Sequence, residues 1–394
     1  MVFGTAIKRF FKYNVKEEEM KKRIFVLLVA LVFVFTFAAC NSNQEAPAPA
    51  PAPAPEQPAS TPDADTGQDA VKPLKVGLSN TFMYPWRAQM IDNMERMFDY
   101  YKGKGWVEGN LIVQHAGVDT NAQIAQIRNM VNDGVDLLLI NPISADGLNE
   151  VVEEAVAKGV TVVAFDQAIS AQGVYNVTID HYTWGAKFAD WLCKAMGEEG
   201  DLVYVEGLPG HPANDDRVRG WVDTIAKYPN VNIVGDAVGN WDFPGAQKAA
   251  SQLIATNPNI TGLLSMDGMA VGLFNAVIAA KKVEQIKTTG ETQVAVLKAW
   301  YDLLEEYPDF ESFGVVNPPG IGATALGFGI RMAQGKEFIG TFVDGNTYFY
   351  EATVQVDKSN FMDFYTRFVI TEGRPDSYYP DEWLSEEELD ALFK

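Results

Sequence analysis

The chain reads as an α/β protein built from two similar, doubly wound parallel-sheet lobes. Three observations predict this. Short aliphatic and β-branched runs alternate with longer amphipathic runs, the pattern of repeated β-α units around a sheet covered on both faces. The units are too numerous for one compact open sheet, so they divide into two lobes. Each apolar run also ends in amides, carboxylates, guanidinium groups or indoles, where open α/β sheets place their ligands.

In chain order, Leu74–Leu78, Leu111–Gln114, Asp136–Ile140 and Thr161–Phe165 are expected as buried strands. Helical spacing covers Arg87–Tyr101, Ala122–Val131 and Gly147–Ala157 between them. The rhythm returns at Leu202–Val205, Asn232–Gly235, Gly262–Ser265 and Val315–Val316. An acidic stretch from Ser385 to Lys394 reads as a short helix, preceded by the aromatic cluster Tyr378, Tyr379 and Trp383.

The N-terminal segment is of another kind. Met20-Lys21-Lys22-Arg23 is basic, Ile24 to Phe35 carries no charge, and Thr36-Phe37-Ala38-Ala39-Cys40 follows. This is the layout of a secretory signal, expected over residues 1–39. Its apolar run is shorter than the roughly 20 residues of an ordinary membrane span. A cysteine directly after Ala38-Ala39 resembles the bacterial lipobox, with Phe37 where leucine is usual. That resemblance implies a diacylglyceryl group on Cys40 and a mature chain that begins there. Met1 to Glu19 precede a signal already complete from Met20, so Met20 is the expected start. A peptide from residues 1–19 in a digest of the producing cells would refute this. Residues 40–73 read as the lipidated cysteine and a tether. Ala and Pro alternate from Ala46 to Pro55, a composition that favours extended polyproline II at about 3.1 Å per residue and cannot build a core.

The net charge is −21. Without residues 1–39, 24 basic and 49 acidic residues remain, for −25. Such a surface repels phosphate backbones, so nucleic acid is excluded as a partner. The chain has two cysteines. With Cys40 lipidated, Cys193 has no disulfide partner, and its helical setting reads as a small buried hydrophobe. There is no phosphate-cradling loop and no nucleophile elbow. His115, His181 and His211 are scattered without metal spacing. No cofactor, metal or enzymatic activity is expected. A glycosidase-like pair of Asp166 and Glu291 is the enzymatic alternative, and the fold argues against it.

The strand-end clusters carry the functional reading. They are Ser79 to Arg87, Asn141 to Ser144, Asp166-Gln167, Glu206 to Gly210, Asp216 to Gly220, Asn240 to Asp242, Met266 to Gly268, Gly290-Glu291 and Asn317 to Pro319. Planar carboxylates, amides and guanidinium groups bond neighbouring hydroxyls in pairs, and flat aromatics cover C–H faces. Sugar recognition needs that mixture.

Five pieces then combine: Ile140-Asn141-Pro142 with Ser144 and Asp146, the Asp166 turn, Arg217-x-Arg219-Gly220, Met266 to Ala270 with Gly272, and Thr289-Gly290-Glu291. In that order and at strand ends, they resemble the ribose/galactose-type periplasmic sugar-binding proteins over residues of about 74–370. The resemblance implies the type I periplasmic-binding-protein fold, in which three crossing strands form a hinge. One lobe would be 74–178 plus 318–342, the other 179–317 plus 343–372, with 373–394 an extension of no assigned role. It implies a monomer that closes on a sugar, a monosaccharide or small oligosaccharide, and delivers it to an ABC permease. The alternative is a sensor that presents a sugar or furanosyl signal to a membrane receptor.

Residue roles follow from the same resemblance. Asp166 stands as the acidic acceptor of sugar hydroxyls, Arg219 as a bidentate arginine from the opposite lobe, and Trp241 as the stacking aromatic. Asn141 and Asn317 stand as amide contacts. Tyr84, Trp86 and Arg87 fall in the loop before the first helix, and Asn80 lies just ahead of it. Glu291 replaces the more usual aspartate. Gln167 replaces an arginine common in ribose binders, and Met266 an asparagine. Both departures argue against plain ribose, and Arg87 can restore the missing positive group. Asp267 reads first as an N-cap carboxylate and remains in the candidate ligand-binding set. Arg217 is divided between cleft and surface.

Overall fold

The computed structural model describes residues 72–351 and 354–394. The expected signal segment, Cys40 and nearly all of the expected tether lie outside the described residues. The chain divides at Gln68/Asp69 into two units, and both sheets belong to the second, Asp69–Lys394.

The first sheet begins with β1 (Val76–Asn80), β2 (Ile112–His115), β3 (Leu137–Ile140), β4 (Thr161–Phe165) and β5 (Tyr175–Thr178). Between them run α1 (Pro85–Gly103), α2 (Thr120–Asn132) and α3 (Asn149–Ala157). With β11 (Thr347–Phe349) the strands lie in the order β11-β5-β4-β3-β1-β2, every pair parallel. Every residue of β3 is fully buried, and successive side chains face opposite sides. Leu137 and Leu139 join Met90, Met94 and Phe98 of α1 in one core. Leu138 and Ile140 join Ile127, Met130 and Val152 in another. Two covered faces explain why this strand is an unbroken apolar run rather than an alternating one.

The second sheet is β7-β6-β8-β9, also parallel. It contains β6 (Glu199–Glu206), β7 (Asn230–Val238), β8 (Gly262–Leu264) and β9 (Lys287–Thr288). Its helices are α4 (His181–Ala195), α5 (Pro212–Ile225), α6 (Phe243–Thr256), α7 (Ala270–Ala279) and α8 (Val294–Glu306). Helices α4 and α5 press backbone to backbone. A Cβ on Gly220 would lie 2.2 Å from the Tyr182 carbonyl oxygen, and one on Gly185 would lie 2.3 Å from that of Arg217. Only glycine at both positions permits the approach, which locks the rotation of α5 about its axis.

The chain passes between the lobes near 178–180, near 315–318 and again after Tyr350. β10 (Gly314–Val315) precedes the second crossing, and β12 (Gln355–Val356) follows the third and pairs with it antiparallel. The crossings lie side by side: Tyr350 N–H donates to Thr178 O at 3.0 Å, and Val316 N–H to Val354 O at 2.9 Å. After the second crossing, α9 (Ile321–Ala333) packs on α1 and the first sheet.

The first lobe's second segment runs further than expected. β11 pairs with β5, so residues 343–350 belong to the first lobe and not to the second. A three-residue strand behind the Asp344-Gly345 turn carries too little pattern to be read as a strand. In the second lobe, α10 (Phe361–Phe364) continues into a π-type turn, Tyr365–Thr371. The expected acidic helix is α11 (Glu386–Ala391). Ser385 caps it in a reciprocal box with Glu388, and it packs on α9 of the first lobe.

Candidate functional site

Asp166 directly follows β4 with φ 66°, a turn that aims its carboxylate between the lobes. Oδ1 accepts from the Asn317 amide at 3.2 Å, and Oδ2 accepts from Asn141 at 3.2 Å and from Gln167. His181, the first residue of α4, bonds the Asp166 carbonyl through Nε2. A carbonyl only accepts, so Nε2 carries the proton and Nδ1 is the acceptor. Nδ1 receives the Arg217 Nε–H at 3.2 Å. Arg217 then pairs with Asp267 and lies over the Trp184 ring at 4.2 Å. A hydrogen-bonded line therefore runs from Asp166 in the first lobe to Asp267 in the second.

These groups border a narrow space between the lobes. The first lobe contributes Tyr84, Arg87, Asp166 and Gln167, and the second contributes His211, Arg217, Trp241 and Asp267. Asn317 reaches it from the second crossing. One wall is aromatic: Phe82 stacks on Tyr84 at 5.6 Å and on Trp241 at 6.3 Å. His211 meets Trp241 edge-on at 4.8 Å. Trp241 has φ 55°, and its indole lies over Gly207, where a Cβ would be 2.2 Å from the ring.

Around this one space the polar atoms go unpaired. Arg87 Nε and Nη1, Gln167 Oε1, both His211 nitrogens, Trp241 Nε1, Asp267 Oδ1 and Asn317 Oδ1 are buried with no hydrogen-bond partner. Buried polar groups in folded proteins are nearly always paired, and each orphan costs about 1–3 kcal/mol. The cluster offers donors from Arg87 and Trp241 and acceptors from Gln167, Asp267 and Asn317. It suits a small ligand that carries both hydroxyl donors and acceptors.

Charge states follow from burial. Burial pushes His181 down to about 4 and His211 down to about 3, aided by nearby guanidinium groups. Both rings are neutral near pH 7, so His211 offers one donor and one acceptor. Burial alone would raise Asp166, but His181, Arg87 and Arg217 outweigh it and hold the carboxyl below its usual range. Burial raises Asp267 in spite of Arg217.

The structure brings Tyr84, Arg87, Asp166, Gln167, Trp241, Asp267 and Asn317 together around this space. Four others are buried but do not border the space. Asn141 stands behind Asp166, held by Thr81 at 3.3 Å. Trp86 donates Nε1–H to the Asn317 carbonyl at 2.6 Å and braces the crossing. Asn80 is the last residue of β1, and its amide turns to His115 at 3.1 Å. Glu291 turns back on its own loop, accepting from Gln293 N–H at 2.8 Å and the Thr292 hydroxyl at 3.1 Å.

Burial, then the nearby Asp267, pushes Glu291 up to about 8 from its ordinary 4.5. The folded protein therefore keeps a proton that the unfolded chain releases. This contribution to stability is whole below about pH 4.5 and is lost as pH rises towards 8. Glu291→Gln removes the titration and preserves the shape. Between pH 5 and 8 the wild-type unfolding midpoint should fall relative to the variant's, and parallel profiles would contradict the assignment.

Two expectations are corrected. Arg219 faces solvent, with its side chain 62% exposed and paired with Asp216 at 2.8 Å. Positions two apart on a helix differ by about 200°, so Arg217 and Arg219 cannot both face the cleft. The glycine contact between α4 and α5 turns Arg217 inward. Asp267 does not cap a helix. Its carboxylate goes to Arg217, and Met266 occupies the N-cap of the following turn without a side-chain bond. The sequence reading missed His211, a lone histidine before Pro212 whose type and spacing carry no signal.

A family model described as a periplasmic binding protein domain matches residues 76–337. The chain is 26% identical over 218 residues to the xylitol-binding protein of Mycolicibacterium smegmatis, covering 55% of this chain. It is 28% identical over 188 residues to the D-ribose/D-allose-binding protein of Pseudomonas aeruginosa, covering 46% of this chain. The chain spans 59% of the length of each of these relatives. A solved ABC transporter solute binding protein from Thermobispora bispora superposes with a TM-score of 0.70 at 24% identity, covering 81% of this chain and 94% of that one.

Proposed function

The chain belongs to the family of periplasmic binding protein domains, and from that premise we propose that it captures a monosaccharide or similar small polyol outside the cytoplasm and delivers it to an ABC permease. The observation that carries the reading is the set of unpartnered donors and acceptors around one enclosed space, backed by an aromatic wall. A polyol supplies the missing partners at its edges and C–H faces for the rings. Gln167 presents a free acceptor where an arginine would donate, and Arg87 provides the donor from the other side.

In this reading the site forms when the lobes close. Asp166 and Asp267 lie on opposite lobes, and ligand shifts the equilibrium only by binding the closed form better. Exclusion of water strengthens each hydrogen bond made inside. Lipid on Cys40 would hold the protein at the membrane surface, with the alanine-proline tether giving reach.

Thermal unfolding across a panel of monosaccharides, sugar alcohols and inositols tests the proposal. A ligand at a hundred times its Kd adds about 2.7 kcal/mol to native-state stability and moves the midpoint visibly. No shift from any panel member would sink the sugar assignment. With the panel's hit in hand, Trp241→Ala should weaken binding by about 2 kcal/mol, or roughly thirtyfold, through lost apolar burial. Calorimetric titration reads this, and unchanged affinity would remove Trp241 from the site.

A further inference from the structure

The C-terminal extension makes a fourth passage between the lobes. After the third crossing the chain packs on the second lobe, where Tyr365 stacks on Tyr301 at 4.2 Å. It then caps the start of α8: the Asp376 carbonyl accepts from Ala295 N–H at 3.0 Å, and the Tyr378 carbonyl from Val294 N–H at 2.9 Å. These are orphan donors of a helix N-terminus with no side-chain cap of its own. The very next residue is bound to the first lobe. Tyr379 N–H donates to Gln89 Oε1 at 3.0 Å, and Gln89 Nε2–H returns to the Tyr379 carbonyl at 2.9 Å. Asp381 accepts from Gln89 at 3.0 Å, from Asn93, and from Gly320 N–H at 2.6 Å. The chain ends in the first lobe, with Arg331 pairing Asp390 at 2.7 Å and Phe393 against Phe328.

Consecutive Cα atoms are a fixed 3.80 Å apart. Tyr378 is tied to one lobe and Tyr379 to the other, so this passage has no slack at that peptide. Tyr379 is 2% exposed. Its hydroxyl lies 3.2 Å from where a Cβ on Gly268 would be, beside Asp267 of the site. A residue held by the first lobe through its backbone thus presses its ring on the second lobe next to the ligand space.

We propose that residues 376–394 form a strap across the lobe boundary that holds the two lobes toward the closed form and sets how readily the site opens. The strap rests on the reading that the lobes open and close about the crossings, but its test needs no sugar. Spin labels at exposed Lys158→Cys and Lys227→Cys, one per lobe, report the lobe separation in the full chain with Cys40→Ser. Cys193 is buried and takes no label.

In Gln89→Leu, and in Gln89→Leu with Tyr379→Ala, the ligand-free distance distribution should move to longer separations than in the parent. A circular-dichroism melt identifies any variant that has unfolded. If the double variant does not fold, Gln89→Leu, which alters one half-buried end of the contact, decides. A ligand-free distribution unchanged in the folded variant overturns the strap. A lengthened distribution with no hit in the sugar panel would leave the strap standing and remove the sugar reading, so the two can fail separately.

Discussion

An Arg87→Met protein should unfold at a higher temperature than the wild type when ligand-free, yet bind the panel's sugar about a hundredfold more weakly. The two effects share one cause. Arg87 is 1% exposed, with Nε and Nη1 unpartnered, and among the described residues no carboxylate lies within ion-pair distance of it. The rings of Phe82 and Tyr84, 4.9 and 5.5 Å from the guanidinium carbon, offset part of the desolvation cost through cation–π attraction. Methionine fills similar space and removes the buried charge, a gain that outweighs the lost attraction for Asp166, which His181 and Arg217 still hold down. Hydrogen bonds to a charged group contribute about 1.5–3 kcal/mol each; a hundredfold loss corresponds to about 2.7 kcal/mol. Calorimetric titration and thermal unfolding read the two signs. Unchanged affinity would remove Arg87 from the site, and a lowered midpoint would make it a structural residue.

Arg217→Ala and Arg219→Ala, two positions apart, should differ by several kcal/mol. Removing Arg217 leaves the Asp267 carboxylate buried without its counter-charge, and breaking such a pair costs about 3–5 kcal/mol. It also strips His181 Nδ1 of its donor. Arg219 makes an exposed pair, and its loss should cost no more than about 1 kcal/mol. Denaturant unfolding of both variants, followed by titration with the panel's sugar, gives the comparison. A larger loss of binding in Arg219→Ala would restore it as the cleft arginine and reject the observed rotation of α5.

Much of the fold is legible in the sequence because its signals are local. Thr161–Phe165 can be read to its observed boundaries, since five apolar or β-branched residues between turn signals admit little else. β9 and β12 have two residues each and no periodicity to detect. They exist because neighbouring strands offer them hydrogen bonds. Within the site, Asp166, Trp241, Asp267 and Asn317 are legible because strand ends in open α/β sheets face the ligand. Arg217 and Arg219 are not separable, since both are polar positions on an amphipathic helix whose rotation is decided at Gly185 and Gly220. In the tail, Tyr378, Tyr379 and Trp383 stand out as an apolar cluster needing a surface, but nothing near them in sequence names that surface.

The sequence by itself determined the β-α rhythm, the two-lobe count, the acidic surface and the ring of polar residues at strand ends. These arise from backbone geometry and side-chain type within a few residues. The tertiary structure alone decided which of those polar atoms find partners. Asn317 donates to Asp166 across 151 positions of chain and Gln89 bonds Tyr379 across 290, while Arg87 Nε and Nη1 find no hydrogen-bond acceptor. Pairing of that kind depends on where distant segments are brought by packing, which no local pattern encodes.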